Sequence, residues 1–338
     1  FGMALTFADY NLDQRIDFYM IGMSSTTARR LDRMGLGRDE FANHQRKRGL
    51  MGYGNRLYLA KENGFHQAPF NAQVARTGWS WGTTSFDFDN DADVDIYVAN
   101  DHAANFLWIN SGDGTFREEA FFRGGALSAQ GRPQASMGIA CGDVDGNGRI
   151  DLLLTHLEGE TNALYLGIDE SGFRESSHQA GLGMPSLGFT GFGTQFLDLD
   201  NDGDLDLLVA NGRVRRVTRA IESRPDESVP EFWKIYAERN HVFLNDGAGH
   251  FSQCENRNDP LLSRVEVSRG LATGDIDNDG DLDVVIGNTA GPVRIYRNQA
   301  AGDRHWLIVR AVLPDQGGRM ALGARVTVVA GGTTRLRL

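Results

Sequence analysis

Cysteine and proline are scarce in this chain of 338 residues, with 2 Cys and 8 Pro. Cys141 and Cys254 lie far apart and form no Cys-x-x-Cys pair, which excludes a disulfide framework and leaves the redox compartment open. Cys141 sits in an apolar run before an acidic loop and reads as a small buried hydrophobe. No apolar run approaches the ~18 residues needed to cross a bilayer, so no membrane span is expected. Positive charge is in deficit: the formal net charge is −11 and the pI about 5.2, which argues against nucleic acid as a partner. No G-x-S-x-G, H-E-x-x-H or phosphate-binding loop occurs. The amino terminus, FGMALTFADY, carries no signal-peptide pattern. It starts inside a repeat unit, so it leaves the protein's location open.

Glycine and aromatics, by contrast, are plentiful, with 42 Gly, 19 Phe and 5 Trp. That composition fits a turn-rich β protein rather than a disordered or collagen-like one. One nonapeptide recurs five times in a single frame: DYNLDQRID from Asp9, DFDNDADVD from Asp87, DVDGNGRID from Asp143, DLDNDGDLD from Asp198 and DIDNDGDLD from Asp275. The spacings are 78, 56, 55 and 77 residues, a period near 55 with insertions at about 23–53 and 213–240. A Gly precedes the first Asp by five positions in four copies (Gly82, Gly138, Gly193, Gly270). Each loop is followed by two short apolar runs, such as DIYVAN then NFLWIN. Four units then reach a Gly-Phe or Gly-x-Phe turn. Runs of β-branched and aromatic residues bounded by Gly, Asn and Asp predict strands, and several per unit at this period predict propeller blades. The expected fold is all-β, a β-propeller over 1–300 with a small β module from 301–338.

The acidic loops carry the chemistry. Alternate side chains of a curled Asp-x-Asp-x-Asp-Gly-x-x-Asp loop converge, and hard oxygens suit Ca²⁺, which takes six to eight such ligands. Positions 1, 3, 5 and 9 are expected to offer side-chain oxygens: Asp9, Asn11, Asp13 and Asp17; Asp87, Asp89, Asp91 and Asp95; Asp143, Asp145, Asn147 and Asp151; Asp198, Asp200, Asp202 and Asp206; Asp275, Asp277, Asp279 and Asp283. Position 7 is Arg15, Asp93, Arg149, Asp204 or Asp281, and a ligand position that tolerates Arg must use its main-chain oxygen. Position 6 is Gly148, Gly203 or Gly280 in three copies, consistent with a turn of positive φ, whereas Gln14 and Ala92 break that pattern. The loops hold three, five, three, five and five acids, 21 of the 45 in the chain. Clustered carboxylates repel without cations. Up to five Ca²⁺ are therefore expected, in a structural role, with three or four loops best equipped. The loops lack the N and S ligands of zinc, and Mg²⁺ demands a tighter octahedron than a flexible nine-residue loop usually gives.

These repeats resemble FG-GAP/VCBS repeats, the blades of integrin-α-like propellers; Phe192-Gly193 matches the name of the motif. The stretches ASMGIACGDVDGNGRIDLLLTH, TGFGTQFLDLDNDGDLDLLVANG and SRGLATGDIDNDGDLDVVIGN resemble the ASPIC/UnbV family, which includes bacterial secreted proteins. RHWLIVRAVLP and ALGARVTVVAGG resemble the start of that family's carboxy-terminal module. The resemblance implies calcium at one face of a propeller that is often seven-bladed, with five repeats in this chain and further blades expected before Phe1. It also implies secretion (extracellular or periplasmic) and an interaction role, with no catalytic set to carry over.

Two functions are open at this point. The first is a calcium-stabilised scaffold for adhesion or binding of a protein or glycan ligand, without enzymatic activity. Its two insertions would offer contact surface. One carries Arg29, Arg30, Arg33, Arg38, Arg46, Lys47 and Arg48 and a short helix over TTARRLDRM, and the other carries RVRRVTR. The second is a propeller enzyme acting on polysaccharide as a hydrolase or lyase, which would need acids outside the loops. His102 and His156 follow strand ends in adjacent units and read as turn-capping residues.

Overall fold

A computed structural model of the chain describes residues 2–22, 26–37, 40–41, 43–169, 172–216, 225–299, 305–321 and 324–337. The fold is all-β and made of propeller blades, as the strand runs predict. It divides into two compact units, Phe1–Ser136 with Glu170–Gly172, and Met137–Asp169 with Phe173–Leu338.

The first unit holds two four-stranded antiparallel meanders. One is β1 (Gly2–Ala8), β2 (Asp17–Gly22), β3 (Arg56–Lys61) and β4 (Gly64–Gln67). The other is β5 (Ser80–Phe86), β6 (Asp95–Asn100), β7 (Phe106–Asn110) and β8 (Phe116–Glu118). The second unit contains β9 (Ile139–Gly142), β10 (Asp151–Leu154), β11 (Ala163–Asp169) and β12 (Gly172–Glu175) in one sheet. A further sheet combines β13 (Gly191–Leu197) and β14 (Asp206–Asn211) with β16 (His241–Asn245) and β17 (Phe251–Gln253). A short ribbon pairs β15 (Glu238–Arg239) with β18 (Val265–Glu266). Then come the three strands β19 (Ser268–Gly274), β20 (Asp283–Asn288) and β21 (Arg294–Tyr296). Two hairpins end the chain, β22 (Val312–Leu313) with β23 (Arg319–Met320), and β24 (Val326–Ala330) with β25 (Thr333–Arg337).

Each Asp loop joins the first and second strands of its blade. The second strands β6, β10 and β14 are buried at every position. Their continuous apolar runs, rather than alternating ones, follow from packing on both faces. Tyr19, Leu57, Ile96, Val98, Trp108 and Phe116 belong to one core between blades of the first unit. Leu153, Leu164, Phe196, Leu207, Phe243 and Phe251 belong to one in the second. Phe116 and Phe251 come from the Gly-x-Phe turns, so that motif delivers an aromatic ring to the inter-blade core. Gly138, five positions before its loop, has no room for a side chain: a Cβ there would lie 1.9 Å from the Phe192 carbonyl oxygen.

The first insertion folds into α1 (Thr26–Arg33) and α2 (His44–Met51), so the predicted helix is present and ends before Gly35 at φ +65°. Arg38 of that insertion, and Arg219 of the second, lie outside the described residues. Two of the arginines offered as contact residues are instead structural. Arg48 is buried and paired with Asp32 at 2.5 Å. Arg213 donates to the buried Glu238 at 2.7 Å. One other expectation changes as well: Cys141 is half-buried rather than a core residue. His156 is fully buried, its Nδ1 2.7 Å from the Thr161 carbonyl, in keeping with a turn-capping role.

Candidate metal centre

The five loops share one internal wiring. The position-1 carboxylate accepts the N–H of position 6 in all five: from Gln14 to Asp9, Ala92 to Asp87, Gly148 to Asp143, Gly203 to Asp198 and Gly280 to Asp275. The position-5 side chain accepts the N–H of position 7, at 2.7–3.1 Å. These bonds curl the backbone around the carboxylates before any ligand arrives, an Asx-turn device repeated along one loop.

The curl needs two left-handed residues per loop. Position 6 has positive φ in every copy, including Gln14 (67°) and Ala92 (73°), where a side chain bears the strain. Position 4 is also left-handed throughout: Leu12 (54°), Asn90 (62°), Gly146 (71°), Asn201 (57°) and Asn278 (61°). Sequence reasoning singled out only position 6. The signal was available, since position 4 is Asn three times and Gly once, the residues that tolerate this region.

Position 9 is the anchor. Asp17, Asp95, Asp151, Asp206 and Asp283 are all buried. One oxygen of each accepts the N–H of position 2, from Tyr10, Phe88, Val144, Leu199 and Ile276. The other accepts an N–H beyond the blade's own loop, from Ala60, Asn110, Gly167, Asn245 and Asn298. Three of those residues are Asn, and they reach further. The Asn110 amide donates to the Tyr10 carbonyl, Asn245 to Val144 and Asn298 to Leu199, tying each blade to the loop of the blade before it. In the sequence these three Asn residues stand only as the ends of apolar runs, with nothing local to mark this role.

Carboxylate oxygens of Asp87, Asp89 and Asp95 lie within 4.8 Å of one another, as do those of Asp143, Asp145 and Asp151. The same holds for Asp198, Asp200 and Asp202, and for Asp275, Asp277 and Asp279. Asp9, Asn11, Asp13 and Asp17 share the wiring but place no such trio of carboxylates together. Position-7 side chains stand outside these groups. Asp281 accepts from Asn201 at 2.8 Å and Asp204 from Arg335 at 3.2 Å, while Arg15 and Arg149 carry no acceptor. In the fifth loop Arg297 pairs with Asp277 and, at 3.1 Å, with Asp279, so a guanidinium already neutralises part of that cluster.

The donor set fits a hard divalent cation. Asp89 Oδ1 and Asp198 Oδ1 are buried with no hydrogen-bond partner, which is costly unless a cation takes them. Burial pushes the Asp17 carboxyl up to about 6, Asp206 to about 7 and Asp95 to about 8, and raises Asp151 well above the usual range. Burial and then the Asp91 charge raise Asp93 to about 7 and also lift Asp89. Such groups bind protons for want of another positive charge, and a bound cation relieves the same repulsion.

FG-GAP-like repeats match residues 87–154, 143–209 and 230–286. Cartilage acidic protein 1 of Homo sapiens is 27% identical over 240 residues, covering 69% of this chain and 32% of that protein. The Mus musculus protein of the same name is 26% identical, with 69% and 33% covered. The chain thus spans about a third of the length of these curated relatives. Among solved structures, an Agrocybe aegerita lectin described for recognition of non-reducing terminal N-acetylglucosamine aligns with a TM-score of 0.39 and 14% identity, covering 88% of this chain and 81% of that one. The NanB sialidase of Streptococcus pneumoniae aligns at 0.41 and 8%, covering 72% and 34%. No helix among the described residues is long and apolar enough to cross a membrane.

Proposed function

The chain belongs to the FG-GAP-like repeat family, and on that premise we propose that its Asp loops bind calcium and that its blades act outside the cell as a scaffold for a protein or glycan partner. The observation that carries this reading is the convergence of three carboxylates within 4.8 Å in each of four loops. Positions 1, 3, 5 and 9 would supply side-chain oxygens and position 7 a main-chain oxygen. Calcium there would be structural: it would neutralise the carboxylates and lock the turn between the first and second strands of each blade. On this reading the chain is not an enzyme, because its conspicuous carboxylates are occupied with the loops. The matched relatives named for cartilage support an extracellular setting.

Calorimetric titration of metal-stripped protein with Ca²⁺ tests the binding. Several sites are expected, and Asp143→Asn should remove one of them. A titration without binding heat or stoichiometry would overturn the proposal. Incubation with a panel of polysaccharides tests the second part, since any turnover abolished by substituting an acid outside the loops would show an enzyme.

A further inference from the structure

The carboxy-terminal segment lies against the three loops of the second unit. Arg335, on β25, donates from Nε to the Gly203 carbonyl at 2.6 Å and from Nη2 to the Asp202 carbonyl at 3.1 Å. Its Nη2 also reaches Asp204 Oδ1 at 3.2 Å. Arg337, two residues on and therefore on the same face of the strand, donates to the Gly203 carbonyl as well, at 2.7 Å. Arg325, beside β24, donates to the Gly148 carbonyl at 3.0 Å. At the fifth loop the Trp306 ring sits where a Cβ on Gly280 would be, 2.1 Å away. In each of the three loops one of these contacts falls on position 6.

Position 6 is a telling place to be held. Its N–H points inward, from Gly203 to Asp198 Oδ2 at 2.9 Å. The next peptide plane joins the Gly203 carbonyl to the Asp204 N–H, which donates inward to Asp202 Oδ1 at 2.9 Å. A guanidinium that fixes the outward carbonyl therefore fixes the N–H that orients the position-5 carboxylate. The third loop repeats the relay: Arg325 holds the Gly148 carbonyl, and the Arg149 N–H donates to Asn147 Oδ1 at 2.7 Å. At Gly203 contact accounts for the glycine better than φ does. Gln14 and Ala92 adopt the same left-handed turn, whereas a Cβ on Gly203 would lie 2.3 Å from Arg335 Nε.

We propose that Arg335 and Arg337, with Arg325 in the neighbouring loop, are positioning residues of the calcium loops, so that hairpin docking and calcium binding reinforce each other. The inference rests on the reading that these loops bind calcium. Two effects oppose: the guanidinium charges repel Ca²⁺, while the bonds they make pre-shape its seat. The loop around Asp198–Asp206 carries five carboxylates, so with Ca²⁺ bound it remains negative and still attracts both arginines. Pre-shaping therefore prevails, and linkage requires the effect to run both ways.

The test is Arg335→Ala/Arg337→Ala in the whole chain, read by calcium titration and by hydrogen exchange of residues 198–206 and 333–337. The double variant should weaken calcium binding at the Asp198–Asp206 loop by about fivefold or more, within the usual range of coupling between sites. Arg335→Lys should recover part of that loss, since an ammonium still donates to the carbonyl. In the unaltered chain Ca²⁺ should slow exchange in Thr333–Arg337, and Asp198→Asn should abolish that slowing. Equal or tighter calcium binding by the double variant, or hairpin exchange indifferent to Ca²⁺ in a chain that binds it, would overturn the inference. Absence of calcium binding by the unaltered chain would instead strike the reading beneath it.

Discussion

At the scale of single residues, position 6 separates backbone strain from contact. Gly148 sits at φ +79° with nothing within 4 Å of the place a Cβ would occupy, whereas Gly203 at +92° is pressed by Arg335. Gly148→Ala should therefore cost only the left-handed penalty, about 1–2 kcal/mol. Gly203→Ala should cost more, because Arg335 must also move, and urea unfolding of the two variants side by side gives the comparison. Ala92→Gly runs the other way: it removes strain at φ +73° and should stabilise the metal-free protein by up to about 1 kcal/mol. Unchanged unfolding midpoints across all three would contradict the assignment of these positions.

Two histidines give the chain a pH dependence outside the loops. Burial lowers His156 and His241 to about 4, from an ordinary value near 6.5. Between those values the unfolded chain binds protons that the folded chain refuses. The stability these neutral rings contribute is thus complete above about pH 6.5 and is lost as the pH falls toward 4. The raised loop carboxyls act with the opposite sign across the same window, so the histidine share is read by difference: the unfolding free energy of His241→Phe relative to the unaltered chain should rise as the pH falls from 6.5 toward 4. A slope identical in the variant would rule out His241 as a source.

At the scale of elements, the Asn residues after the third strands join blade to blade. Asn245 donates to the Val144 and Leu205 carbonyls and its own N–H serves Asp206. Asn245→Ala leaves two buried carbonyls unpaired and should cost about 1–3 kcal/mol. Asn245→Asp should be no better, since a carboxylate cannot donate. If thermal unfolding of Asn245→Ala matched the unaltered chain, this tie would be redundant.

These elements also show which features were legible beforehand. The five loops, their ligand-competent positions and the flanking strands could be read directly, because repetition in one frame averages out local ambiguity and each loop is closed by bonds within nine residues. The Asn ties were hidden by distance: Asn245 meets Val144 across 101 positions, and no local pattern announces a partner so remote. Position 4 was visible as Asn and Gly but masked by Leu12, which accepts the same turn under strain. Arg48 and Arg213 looked like contact residues because a sequence reports charge and not burial. The arginines of β25 gave no sign of their targets, which belong to a loop more than 130 residues earlier.

At the scale of the whole molecule, burial and charge pull against each other. The inter-blade cores favour packing the second strands from both sides, yet each such strand begins at a buried Asp in an acidic loop. The formal charge of −11 concentrates there, and five Ca²⁺ would bring the chain close to neutrality. Metal bound to the folded state alone stabilises it by mass action, about 2.7 kcal/mol per site at a hundredfold excess over the dissociation constant. The account therefore rests most directly on scanning calorimetry of the chain with EDTA, with Ca²⁺ and with Mg²⁺ at equal ionic strength. It predicts a melting temperature that rises steeply and progressively with Ca²⁺ and much less with Mg²⁺. A melting temperature unmoved by Ca²⁺ after full metal stripping would contradict it.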